Sequence, residues 1–108
     1  MLHLALVLPS ERARAVIELL APHPGVADVV HLPGAAVAPP GDVVEADVAR
    51  ESADELLAVL RGHCTAHGGT ITVTEIGAAI GAPVSRAERT APGAVSYTHL
   101  TLPTTPYV

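Results

Sequence analysis

The chain has 108 residues, 49% hydrophobic and 16% charged, with a net charge of −5, enough apolar surface for one small folded domain and too little length for two. Its six basic residues are all arginine, and the acidic balance works against nucleic-acid binding, which needs a basic face to neutralise phosphates. One cysteine, Cys64, excludes an internal disulfide, and the two aromatic residues, Tyr97 and Tyr107, lie near the C-terminal end, so the core has to be aliphatic.

The first element is a strand. Leu2, Leu4, Leu6 and Leu8 alternate with His3, Ala5 and Val7 at the period of a half-buried strand, which Pro9 ends. Ser10 is placed to cap a helix, with Glu11 favouring its positive end. Ala13, Val16, Ile17 and Leu20 recur on one helical face, and Pro22 and Pro24-Gly25 stop the helix. A second strand follows over 26–32. Its alternation is imperfect and leaves open whether Val26, Asp28, Val30 and Leu32 or Ala27, Val29 and His31 face inward.

The segment 32–42, Leu-Pro-Gly-Ala-Ala-Val-Ala-Pro-Pro-Gly-Asp, reads as a stiff connecting loop between two similar halves. A third strand over 43–48 buries Val44, Ala46 and Val48 and turns Glu45 and Asp47 outward. Ser52 and Glu55 have capping-box spacing and predict the start of a second helix, whose apolar face is Ala53, Leu56, Leu57 and Leu60. Gly68-Gly69 makes a turn into a fourth strand over 70–76, with Ile71 and Val73 toward the core and Thr70, Thr72 and Thr74 toward water. The order β-α-β-β-α-β predicts an α+β, ferredoxin-like sandwich: an antiparallel sheet in the order 4-1-3-2, two helices on one face and the other face open.

These elements make residues 1–76 the domain. Residues 77–94 read as a linker, with a short helical piece over 84–90. Composition then changes abruptly. Val95 to Thr104 matches, residue for residue, a translation of the transposase adaptor used in sequencing-library preparation, so residues 95–108 are expected to be a non-native tail following a cut near Ala94. The first residues lack the basic and long apolar regions of a signal peptide, and no stretch approaches the ~20 apolar residues of a membrane-spanning helix. The chain as it stands is expected to be soluble.

Two groupings could carry chemistry. His63, Cys64 and His67 are the one cluster of soft-metal ligands, but a structural zinc site needs four ligands and no second cysteine exists. The plainer reading places His63 at a helix C-terminus and Cys64 in the core as a small hydrophobe. His3 should lie beside Asp47 or Glu45 on the neighbouring strand, with Thr72 or Thr74 on its other side, making a polar patch on the open sheet face. An ordinary solvated cross-strand pair explains it as well. No nucleophile–base–acid arrangement is visible: Ser10 and Ser52 are read as caps, Asp54 and Glu55 as first-turn charges, and Gly34 and Gly41 do not form a phosphate loop. The expectation is a protein without catalytic residues, cofactor or bound metal.

Met1-Leu2-His3-Leu4, Leu32-Pro33-Gly34-Ala35-Ala36, Pro39-Pro40-Gly41-Asp42 and Ala46-Asp47-Val48-Ala49-Arg50-Glu51 together resemble the domain of unknown function 389 family, over residues 1–92. The resemblance implies the N-terminal soluble domain of a bacterial multipass membrane protein, whose membrane region would follow the linker. It further implies that the parent protein lies in the cytoplasmic membrane with this domain on the cytoplasmic side. The family has no established reaction or binding residues to carry over. The expected function is a non-enzymatic accessory domain, regulatory or for assembly, that uses the open sheet face or an edge strand to contact the missing transmembrane region, a second copy or a small ligand. The alternative is a free-standing ferredoxin-like module that binds a small ligand or metal.

Overall fold

The structure, a computed structural model, describes residues 1–90; the expected cut near Ala94 and the tail 95–108 lie outside them. The elements are β1 (Leu2–Leu8), α1 (Ser10–Leu20), β2 (Val26–Val37), β3 (Pro40–Val48), α2 (Arg50–His63), a short 3-10 turn (Thr65–His67), β4 (Thr70–Glu75) and α3 (Ala82–Thr90). The fold is α+β. Its four strands form one antiparallel sheet in the order β2-β3-β1-β4, the expected order 4-1-3-2 read from the other edge, and the arrangement is compatible with a ferredoxin-like sandwich.

Helices α1 and α2 lie on one face because their apolar stripes match the even-numbered stripe of β1. Leu4, Leu6 and Leu8 of β1 and Val44, Ala46 and Val48 of β3 pack against Ala13, Val16 and Leu20 of α1 and Ala53, Leu56 and Leu60 of α2. Each fully buried leucine contributes roughly 1.5–3 kcal/mol. The core is aliphatic throughout, as the composition requires. Among the described residues no helix is long and apolar enough to cross a membrane.

Three expectations are corrected, and the face left open in β2 is assigned. The segment 32–42 is not a loop: β2 continues to Val37 and β3 begins at Pro40, so most of it forms a hairpin arm closed by Ala38-Pro39, whose peptide bond is cis. Pro-rich composition hid these strand ends, which sit on a sheet edge where proline is tolerated.

The ambiguous alternation in β2 has a physical cause. The register slips between Ala27 and Val30, and Asp28 takes a positive φ of 55°. This bulge puts both Val26 and Val29 against the core, while Ala27 points to the opposite face.

Neither helix is capped as expected. The α1 N-cap is Pro9 and the α2 N-cap is Ala49, with no side-chain cap bond at either. Ser10 is the first residue of α1. Ser52 is fully buried inside α2, with its hydroxyl unpaired, and Glu55 stands 3.5 Å from His23.

Finally, the second sheet face is not wholly open. The expected helical piece is α3, and it folds back so that Val84 and Ala87 cover Ala27 with Met1 alongside.

Candidate functional site

The sheet face opposite α1 and α2 carries the predicted polar patch. The register places His3 directly across from Asp47 and Ala5 across from Glu45, so the imidazole sits between two carboxylates. His3 Nδ1 is 2.7 Å from Asp47 Oδ1, within charge-assisted hydrogen-bond length, and Nε2 is 3.5 Å from Glu45 Oε1. His3 and Glu45 are each about one-third exposed and Asp47 less. Thr74 is the partner of His3 on β4, and Thr72 faces Ala5, on the same face but with no hydrogen bond to the cluster. The grouping is a polar cross-strand contact on that face. It contains no nucleophile.

Sequence reasoning missed a second constellation at the base of the hairpin arm. Asp42 follows the same alternation as Val44, Ala46 and Val48, which drives its carboxylate to the covered side of the sheet, where it is 4% exposed. Ser10 Oγ donates to Asp42 Oδ1 at 2.5 Å, the Gly34 amide donates to the same oxygen at 2.9 Å, and His31 Nε2 donates to Oδ2 at 2.7 Å. These bonds, that of Ser10 foremost, then those of Gly34 and His31, hold the Asp42 carboxyl down to about 2 despite burial. The one sequence signal was an acid on the apolar side of a period-two pattern.

Ser10, His31 and Asp42 have the composition of a hydrolytic triad but not its order. The carboxylate stands in the middle, and both the hydroxyl and the imidazole donate to it. Among the described residues no base adjoins the hydroxyl, so these three side chains do not form a nucleophile-activating relay. What it does is mechanical: it ties α1, the outgoing arm of β2 and the returning arm of β3 to one point.

The soft-ligand cluster is not assembled. Cys64 follows α2 and turns into the core, where its thiol donates to the carbonyls of Val7 at 3.2 Å and Thr70 at 3.3 Å. Burial pushes that thiol above its ordinary value, which keeps it a donor and disfavours a metal-binding thiolate. His63 ends α2 with a buried, unpaired Nδ1, and His67 lies in the 3-10 turn. Among the described residues no group of three or more His, Cys, Asp or Glu side chains could hold a metal ion. No protein-family model and no curated protein matches the chain.

Proposed function

We propose that the chain is a non-enzymatic accessory domain, regulatory or for assembly, of a bacterial multipass membrane protein of the domain of unknown function 389 type. The finer reading of its sheet as ferredoxin-like belongs to the same proposal, as does its place on the cytoplasmic side of the membrane. The observation that carries the proposal is the hairpin arm. The two segments on which the family resemblance chiefly rests, Leu32-Pro33-Gly34-Ala35-Ala36 and Pro39-Pro40-Gly41-Asp42, are the outgoing and returning sides of one arm, locked at its base by Asp42. Between Leu32 and Gly41 the arm has no charged side chain, and Val37 near its tip is 84% exposed. An anchored, uncharged, protruding hairpin is a contact element, and it serves a domain that docks on something larger. The partner in this reading is the membrane region of the same protein.

The test is the uninterrupted coding sequence. Reading genomic DNA across Ala94 should replace the tail with further linker and a series of membrane-length apolar segments. A stop codon soon after Ala94 would overturn the proposal. It would favour instead a free-standing module that uses the His3, Asp47 and Glu45 cluster for a small ligand.

A further inference from the structure

The two edges of the sheet are built differently. Edge strands expose unpaired backbone groups, and monomeric proteins obstruct them with bulges, prolines, charges or covering elements. The β2 edge has two such obstructions, the bulge at Asp28 and a second register slip between Leu32 and Ala36 beside Pro33, while α3 packs on the adjoining face over Ala27. Among the described residues the β4 edge has none of them. Thr-Ile-Thr-Val-Thr-Glu is rich in β-branched residues, free of proline and bulge, and exposed at every position but Ile71. Its one charge, Glu75, is already paired with Arg50.

The direction of the free groups follows from the ladder. Ile76 donates its amide to the Met1 carbonyl, so residues two and four positions before it also direct their backbone groups toward β1. Ile71, Val73 and Glu75 therefore point theirs outward.

We propose that β4 is a dimerisation edge that pairs antiparallel with β4 of a second copy across a two-fold axis at Val73. In that register Val73 meets the second copy's Val73, and Ile71 meets the second copy's Glu75, so every outward-facing backbone group finds a partner. Thr72 lies across from the second copy's Thr74 on the open face, a favourable cross-strand pair. The half-exposed Val73 side chains cover each other on the helix-bearing face. The two Glu75 carboxylates fall at opposite ends, so the ladder holds no like-charge pair. The occupant is a second copy because this pairing is self-complementary, and the obstructed β2 edges close the assembly at two.

The full chain examined by analytical ultracentrifugation from micromolar to millimolar concentration should show a monomer–dimer equilibrium with no larger species. Val73→Pro removes one outward amide, a change an edge strand tolerates, and Val73→Lys puts two cations at the axis. Both should sediment as monomers with an unchanged circular-dichroism spectrum. Val73→Cys should form an interchain disulfide on mild oxidation, because opposed residues of this kind have Cα atoms about 5.5 Å apart, within disulfide range. Wild type, carrying only the buried Cys64, should not. A wild-type monomer at every concentration, a dimer surviving in Val73→Lys, or cross-linking through Thr72→Cys but not Val73→Cys would each overturn the proposal.

Discussion

Gly41 lies where the hairpin arm rejoins the body, and replacing it tests how the arm is seated. A Cβ there would be forced inside van der Waals contact with the Leu8 carbonyl oxygen and stand 3.1 Å from the carbonyl carbon, with Pro9 Cα at 3.6 Å. These are main-chain atoms, so no side chain can rotate away. Restoring ordinary contact requires the two segments to separate by on the order of 1 Å. Leu8 is the register partner of Asp42, so the displacement falls on the last pair of the β1–β3 ladder and on the Ser10–Asp42 bond. Overpacking of this kind costs about 1–3 kcal/mol, and each backbone bond lost costs about 0.5–1.5 kcal/mol more. Gly41→Ala should therefore lose roughly 2–4 kcal/mol, a fall in Tm of roughly 10–25 °C for a domain this size.

Two other glycines separate crowding from backbone conformation. Gly34 has φ +67° but nothing within 4 Å of its Cβ position. Gly34→Ala meets only the left-handed penalty of about 1–2 kcal/mol, partly offset by a stiffer unfolded chain. Gly62, in α2 with open space around it, should gain up to about 1 kcal/mol as alanine. Thermal unfolding followed by far-ultraviolet circular dichroism should rank Gly62→Ala, wild type, Gly34→Ala and Gly41→Ala in falling order. A Gly41→Ala protein that melts within about 4 °C of wild type would refute the close approach of β3 to β1.

The Asp42 carboxyl sits at about 2 in the folded chain against an ordinary 3.8, so its contribution is present above the ordinary carboxylate range and is lost as pH falls through 3.8 toward 2. Asp42→Asn should be less stable than wild type at pH 7 and show a shallower acid limb in denaturant melts between those values; an unchanged acid slope would show that the carboxylate is not held by its three donors. Val84→Asp removes the larger of the two α3 side chains buried against Ala27, a contact outside the main core, and places a charge there. Hydrogen exchange should quicken across α3 while β1 and α2 keep their protection, and a matching loss in those core elements would show that α3 and the sheet unfold as one.

Much of the fold was legible because its core follows the two simple periods. Leu4, Leu6 and Leu8 alternate on β1, Val44, Ala46 and Val48 on β3, and Val16 and Leu20 recur at helical spacing on α1; each is buried as its period requires. The failures are local departures from period or propensity. Asp28 inserts one residue into β2 and shifts the phase of everything after it, which no count of alternating residues can place in advance. Pro33, Pro39 and Pro40 signal a loop by propensity, yet on an edge hairpin a missing amide is harmless. The misassigned serines share one cause. A cap is inferred from residue type near a helix start, whereas Pro9 and Ala49 occupy the cap positions and leave both serine hydroxyls free for other uses. One of them found Asp42. The polar patch was legible because His3 and Asp47 needed only the strand order to meet.

The same failures fall where the proposed contact element lies. In the arm, the left-handed Gly34, the buried Asp42 at its base and the close approach of Gly41 shape a single protrusion. A simpler turn between β2 and β3 would join the halves of the sheet with none of them. The arm's own features add little apolar burial, since its side chains from Leu32 to Ala35 stay exposed. Features that strain a backbone without enlarging the core persist where a surface has to keep its shape for contact. The plain, regular β4 at the other edge shows no such shaping, and the pairing proposed for it would need only a straight strand. The arm and the β4 edge lie on opposite sides of the sheet, so the two proposed contacts would not compete.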